Sequence, residues 1–416
     1  MQQPGEQSDV PFRRIPPKPR RQRRLRRWSF GSRAASRVYE LQPREEMQQN
    51  ALQTRVTRIT DLDRAYFDCY AHIGVHEEMI KDRVRTDAYK NAIMHHKDFI
   101  KNKVVLDVGC GTGILSIFCA QAGAKRVYAV EASSIALQAR RVVEANNLSN
   151  VIMVLHGLVE DAEIKEKVDV IISEWMGYML VYESMLGSVI TARDRWLKPG
   201  GLILPSNARL YMAPFTHTKR YHESVDFWRN VYGIDMSALL PLAKQGEFEE
   251  PSVETITGEN VLTSPRTVKY VNCYSITIPE LKCITTRFKF NSLVKAPLHG
   301  FAFWFEVEFD SPAPVLSPMP INFLLPASSV DNDPVDGSQG EKCRNRKLLL
   351  STAPEDPPTH WQQTLIYFYD PIELEQDQLI EGMVALSQSQ EHARFINIHL
   401  EYTSEGRSHV KETTMR

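Results

Sequence analysis

The chain has 416 residues, is 43% apolar and 24% charged, and balances 50 basic against 51 acidic side chains. It contains no apolar run near the roughly 18–20 residues of a membrane-spanning helix, its composition is ordinary for a globular protein, and its length leaves room for two or three domains. The balance is uneven: residues 13–37 hold eleven Lys or Arg and no acid, so residues 38–416 carry 39 basic and 49 acidic side chains. An acidic body argues against nucleic acid as the main ligand and in favour of a cationic partner.

Residues 1–60 read as a disordered basic tail, because Pro, Gln and Arg dominate and apolar anchors are few. Its centre, "PPKPRRQRRLRR", is read either as a solvated segment or as a nuclear-import or polyanion-binding patch. The N-terminus has no secretory apolar region. Six cysteines (Cys69, Cys110, Cys119, Cys273, Cys283 and Cys343) form no C-x-x-C pair. This favours reduced thiols over a disulfide or zinc framework, so an intracellular protein without a metal site is expected.

From Leu62 to about Lys97 the pattern predicts helix, with Asp82, Arg85 and Tyr89 on one face. Four short β-branched runs follow ("KVVLDVG", "KRVYAVE", "NVIMVLH" and "VDVIISE"), separated by helical or loop segments, which predicts a parallel sheet flanked by helices. A helix near Glu183 to Trp196 and a turn-strand at "KPGGLILP" complete this α/β domain at about residue 205. Beyond it, alternating runs such as "ARLYMAPF", "CITTRFKF", "GFAFWFEVEF" and "FINIHLEY" predict an antiparallel β domain, barrel or sandwich, to residue 416. A helical, aromatic-rich insertion spans 221–244, and 310–346 reads as a flexible loop.

"VVLDVGCGTGILS" sets glycines at a strand-to-helix turn, where the backbone turns tightly and approaches a ligand without Cβ interference. Glu131 ends the next strand, where an acid meets ribose hydroxyls, and Glu160 follows the third. The G-x-G-x-G spacing behind Asp107 favours S-adenosylmethionine, with a dinucleotide or a merely structural turn as alternatives. In "SEWMGYMLVYESML" Glu174 and Glu183 stand nine residues apart with no base between them. Carboxylates in apolar company are costly to bury, so a cation must come from elsewhere. The alternative is a neighbour of a helix cap and a first-turn acid favoured by the helix dipole.

Taken together, "YFDCY", "VHEEMIKDRVRT", "VVLDVGCGTG", "VYAVEAS", "SEWMGYMLVYESML" and "PPTHWQQT" resemble the protein arginine N-methyltransferases from about residue 62 to the end. The "HGFAFWF" run and the long loop look like the branch numbered 6, in its plant form. The resemblance implies a methyltransferase domain of Rossmann-like fold over 61–205, then a β-barrel with a dimerisation arm at about 216–245, and a ring-like homodimer. It implies S-adenosylmethionine contacts at His76, Arg85, Gly109, Glu131 and Glu160, with Arg85 on the donor's carboxylate. It also implies catalytic roles for Glu174 and Glu183, and a substrate pocket lined or closed by Tyr70, Met79, Asp82, Met185, His360 and Trp361. By default Met79 and Met185 are core packing residues and His360 a core or surface histidine.

The chemistry fits these residue types. An arginine guanidinium stays protonated and delocalised, hence a poor nucleophile. Two carboxylates can grip its fork, localise charge on one side, and leave electron density on the remaining nitrogen. His360 with Asp82 is the expected proton acceptor. The family implies monomethyl and asymmetric dimethyl products on histone tails or Gly-Arg-rich segments; a nuclear location is expected, with the cytoplasm as an additional one, and the acidic body leaves no direct nucleic-acid contact expected beyond the tail. A small-molecule methyltransferase and a catalytically silent scaffold are the competing readings; both leave the paired glutamates unexplained.

Overall fold

The computed structural model describes residues 59–311, 348–404 and 406–416; all but the edges of the expected tail and of the 310–346 loop lies outside the described residues. The expected continuous N-terminal helix is instead α1 (Asp61–Tyr70), α2 (Ile73–Lys81) and α3 (Arg83–His95), followed by the short α4 (Lys97–Ile100). Its start and its break at Asp82 have local causes. Thr60 and Asp63 form a reciprocal capping box that starts α1. Asp82 leaves helical geometry to cap α3, its carboxylate accepting from the Arg85 N–H at 3.0 Å.

Next come β1 (Val104–Val108), α5 (Ile114–Gln121), β2 (Arg126–Glu131), α6 (Ala136–Ala145), β3 (Ile152–His156), β4 (Val168–Ile172), α7 (Leu186–Trp196) and β5 (Leu197–Leu204). All five strands are parallel, in the order β3-β2-β1-β4-β5. Every β1 residue is buried, as expected of a strand covered on both faces. The order reverses between β1 and β4, so a crevice opens beyond the carboxyl ends of those two strands. Gly109 follows β1 there, and Glu174 lies just past β4.

The remainder is antiparallel: β6 (Asn207–Phe215), β7 (Ser252–Glu254), β8 (Arg266–Asn272), β9 (Cys283–Asn291), β10 (Ala296–Glu308), β11 (Leu349–Ser351), β12 (Gln363–Leu374), β13 (Leu379–Gln388), β14 (Ile396–Ser404) and β15 (Arg407–Met415). One sheet runs β7-β12-β10-β6-β8 with β11 on β10, the other β15-β14-β13-β9. Their inner faces meet through aromatic rings, as in the barrel predicted: Phe301 lies 5.2 Å from Phe288 and 5.8 Å from Phe368, and Phe368 stacks on Tyr402 at 4.3 Å. Between β6 and β7 the expected helical insertion resolves into α8 (Thr218–Ser224), two short 3₁₀ turns (Asp226–Arg229 and Ser237–Leu239) and α9 (Leu240–Phe248), while α10 (Ile278–Lys282) precedes β9. Phe227, Tyr232, Ile234 and Leu242 in the insertion are exposed. Among the described residues no helix is long and apolar enough to cross a membrane.

Candidate functional site

The glycine loop is built for close approach. Gly109, Gly111 and Gly113 take φ of 71°, 53° and 86°, a region costly to other residues. A Cβ on Gly109 would sit 2.1 Å from Met185 Cε, and one on Gly111 3.1 Å from the His76 ring. The loop's N–H groups at Gly109 and Cys110 both donate to the Val130 carbonyl, at 2.9 and 3.0 Å, which ties the end of β1 to β2. Beneath it Asp107 is fully buried: Oδ2 accepts from Ser116 at 2.6 Å, Oδ1 has no partner, and burial raises the carboxyl to about 7.

Glu131 at the end of β2 is fixed by backbone donors. Its Oε2 accepts from Gly111 N and its Oε1 from Ser133 N, both at 2.8 Å. Each oxygen keeps a lone pair for a pair of hydroxyls. Glu160 accepts from Ser188 at 2.6 Å, and the buried His76 ring nitrogen lies 2.8 Å from the Tyr70 carbonyl.

The two glutamates are each supplied with positive charge by the chain itself, although the stretch between them holds none. Arg85 Nε and Nη2 both donate to Glu174 Oε2, at 3.1 and 3.0 Å, and the pair is buried, with side chains 6% and 10% exposed. Glu174 Oε1 is buried and unpartnered. Glu183 Oε2 accepts from the hydroxyls of Tyr66 and Tyr70, at 2.9 and 2.8 Å. Burial pushes the Glu183 carboxyl up; the Tyr70 and Tyr66 hydrogen bonds and the charge of Arg394 offset part of this, and Glu174 adds to it.

Glu183 does not begin the helix expected there. It sits before α7 in a loop where Glu183 and Ser184 have φ of 72° and 57°. The reversal at Gly177 works by close approach rather than by left-handed backbone: its Cβ would lie 2.2 Å from the Tyr182 carbonyl oxygen.

Tyr70, His76, Met79, Arg85, Gly109, Glu131, Glu160, Glu174, Glu183 and Met185 all line one cleft of about 290 Å³. Asp82, His360 and Trp361 do not. Trp361 is 5% exposed, donates through Nε1 to the Met176 carbonyl at 3.0 Å and packs edge-on against Phe305, so it belongs to the wall behind the cleft. His360 pairs with Asp82: Nδ1 lies 2.7 Å from Oδ2, and the His360 N–H donates to the same oxygen at 2.9 Å. Burial alone would raise Asp82, but the hydrogen bonds from His360 and Arg85 hold it below the usual carboxylate range. The pair thereby bolts the start of α3, and with it Arg85, to the loop before β12.

Sequence reasoning missed Tyr66, Trp175 and Arg394, which line the same cleft. Tyr66 stands in "YFDCY" four residues before Tyr70, one helical turn away, so the spacing held that signal. Arg394 gave none.

Comparison with known proteins follows the same division. Residues 206–322 and 339–407 match the family model of the arginine methyltransferase oligomerization subdomain, and residues 92–206 match that of the ribosomal protein L11 methyltransferase. A probable protein arginine N-methyltransferase 6 from Arabidopsis thaliana is 66% identical over 362 residues, covering 86% of this chain and 82% of its own. The protein arginine N-methyltransferase 6 of Xenopus laevis is 42% identical over 359 residues, 85% and 96% of the two chains. Among solved structures, a Trypanosoma brucei PRMT1 enzyme-prozyme heterotetrameric complex with AdoHcy superimposes with a TM-score of 0.70 at 32% identity, covering 84% of this chain and all of that one. A PRMT6-SAH crystal structure gives 0.60 at 28% identity, over 80% and 100%.

Proposed function

The chain belongs to the protein arginine N-methyltransferase family, in the plant form of the branch numbered 6, and from that premise we propose how its cleft transfers methyl groups and to what. Its reaction is methyl transfer from S-adenosyl-L-methionine to arginine in proteins. The proposed products are monomethyl and then asymmetric dimethyl arginine, on histone tails and Gly-Arg-rich segments, made in the nucleus by a homodimer in the service of chromatin regulation.

One observation supports the substrate end above the rest: Glu174 Oε1 is buried, ionisable and without a partner beside the cleft. An orphaned buried acceptor is costly, and a guanidinium N–H satisfies it. Glu183, nine residues on, presents a second carboxylate to the same cleft. The two bind the planar fork from two sides and orient its free nitrogen. Because burial holds Glu183 above the ordinary carboxylate range, it accepts the proton that the guanidinium gives up. The Asp82–His360 pair keeps α3 and Arg85 in register behind the wall.

The residues present fit the methyl donor. Gly109 and Gly111 let Met185 and His76 close against the glycine loop at the cleft wall, Glu131 has lone pairs left beyond its backbone anchors for the ribose hydroxyls, and Glu160 with Ser188 holds the adenine side. Bound there, S-adenosylmethionine supplies an electrophilic methyl group on a sulfonium. Arg85 divides its donors between Glu174 and the donor's carboxylate, and Met79 and Met185 shape the space around the transferred methyl. The exposed Phe227, Tyr232, Ile234 and Leu242 of the insertion, within the matched oligomerization subdomain, form the arm that docks on a second subunit.

The test is incubation with labelled S-adenosylmethionine and a histone-tail or Gly-Arg-rich peptide, with products identified by mass spectrometry. Asymmetric dimethylarginine is expected, and Glu174→Gln and Glu183→Gln each lose most activity while still binding donor. Symmetric product refutes the product assignment; full activity in both variants refutes the mechanism.

A further inference from the structure

Glu183 is held in an awkward place. The loop that carries it has four non-glycine residues with positive φ, at Met179, Leu180, Glu183 and Ser184. L-residues disfavour that region, so the loop needs support from outside itself. At Glu183 the support comes from the turn between β13 and β14, more than 200 residues away in sequence. The Glu183 N–H donates to the Arg394 carbonyl at 3.1 Å, and Arg394 Nη1 donates back to the Glu183 carbonyl at 2.8 Å. Both backbone groups of one strained residue are thus satisfied by one partner. The Ser184 hydroxyl donates to the neighbouring Ala393 carbonyl, and Gln388 Nε2 donates to that same carbonyl at 2.8 Å.

The other contacts of the Arg394 side chain run to α1. Its Nε donates to Asp63 Oδ1 at 3.1 Å, and its guanidinium carbon lies 3.8 Å from the Tyr66 ring centroid. Tyr66 in turn donates to the Glu183 carboxylate. Arg394 therefore grips Glu183 by its backbone and steadies a tyrosine that grips its carboxylate. Asp63 pairs with Arg394 and occupies its Nε, which leaves fewer donors for an anionic ligand.

We propose that Arg394 is the positioning residue for Glu183: the barrel turn at 389–395 sets the left-handed backbone and the carboxylate direction of a catalytic glutamate in the other half of the molecule. The inference rests on the functional reading above. Arg394 is also the cation that faces the Glu183 carboxylate; the other ionisable groups around the two are Asp63, Tyr66, Cys69 and Tyr70 on α1, His392 on the barrel turn paired with Asp63, Glu174 beyond β4, and Tyr178 and Tyr182 on the Glu183 loop. Removing that positive charge makes Glu183 harder to ionise, so the acid limb of the rate profile moves to higher pH.

The experiment uses the full-length protein as wild type, Glu183→Gln, Arg394→Gln and Arg394→Lys. It measures kcat and KM for an arginine peptide, S-adenosylhomocysteine affinity by calorimetry, Tm, and kcat against pH. Arg394→Gln is expected to lose about 30-fold in kcat, with cofactor affinity within about threefold and an upward-shifted acid limb. Arg394→Lys keeps the charge, so its acid limb stays in place and part of the lost kcat returns. Should Arg394→Gln not fold, Asp63→Asn is the second variant; it weakens the tether from Arg394 to α1 and is expected to lower kcat about threefold.

An Arg394→Gln or Asp63→Asn kcat within about 1.5-fold of wild type overturns the proposal. So do parallel losses of kcat and Tm in the Gln and Lys variants with an unmoved acid limb, or a loss confined to cofactor affinity. Full activity of Glu183→Gln instead overturns the functional reading, and this inference with it.

Discussion

Gly177 and Gly187 lie ten residues apart on either side of Glu183, and replacing each by alanine should move the protein in opposite directions. At Gly177 the new Cβ lies 2.2 Å from the Tyr182 carbonyl oxygen and 2.9 Å from its carbonyl carbon. Carbon and oxygen in contact need about 3.3 Å, so the Tyr182 peptide must retreat by about 1 Å. Glu183 is the next residue and moves with it. The overpacking costs about 1–3 kcal/mol of stability, and a displacement of about 1 Å at a catalytic group lowers kcat by about 100-fold. Gly187, in α7, has nothing within 4 Å of its Cβ position. Alanine there gains up to about 1 kcal/mol of helix propensity, with no push on the cleft. The assay is kcat at saturating donor and peptide, together with Tm, for both single variants. A Gly177→Ala enzyme with kcat within about twofold of wild type would show that the close approach at Gly177 does not set the Glu183 position. Effects of the same sign at both positions would refute the steric argument as a whole.

Arg85→Met should strand Glu174 as a buried charge without its counter-ion. A loss of about 3–5 kcal/mol by urea titration is expected, and a loss under about 1 kcal/mol would mean that the pair is solvated in practice. His299 is held neutral by burial, which, helped by the charges of His217 and His222 and opposed by the Pro297 carbonyl, brings it down to about 4 from an ordinary 6.5. The unfolded chain therefore binds the extra proton first, so this contribution is complete above about pH 6.5 and declines as pH falls towards 4. His299→Asn keeps an acceptor for the His217 N–H, which lies 3.0 Å from the ring nitrogen, and should flatten that part of the pH dependence of unfolding. An unchanged slope would assign it elsewhere. Replacing the exposed Phe227, Tyr232 and Ile234 by serine should leave the fold intact and give a monomer by sedimentation; an unchanged sedimentation coefficient would remove the arm from the assembly.

What the sequence made legible was whatever local physics encodes. The parallel sheet showed as β-branched runs, the glycine loop as a spacing, and Glu131 and Glu160 as acids at strand ends, because each depends on neighbours within about one element. The helix expected over 62–97 is broken at His72, where the backbone turns extended, and at Asp82, whose cap on α3 outweighs an uninterrupted helical pattern. The same stretch hid why Asp82 and His360 matter. From sequence they read as a proton-acceptor pair; in the fold His360 Nδ1 lies 2.7 Å from Asp82 Oδ2, a contact that only the docking of the loop before β12 brings about, and Asp82 also caps α3.

The charge question posed by Glu174 and Glu183 was read correctly as a demand and incompletely as to its supply. Reading along the stretch finds no cation, so the guanidinium of a substrate is the expected source. The fold brings Arg85 to Glu174 from 89 positions away and Arg394 to Glu183 from 211 positions away. Neither pairing has a local signature, since each is closed by the docking of separate elements rather than by a helical or strand period. The supply is also partial by geometry: Arg85 spends two donors on one oxygen of Glu174 and leaves the other bare, and Arg394 binds the backbone of Glu183 rather than its carboxylate. Each glutamate is thus stabilised enough to be buried while keeping acceptor capacity towards the cleft, which is what gripping a second guanidinium requires.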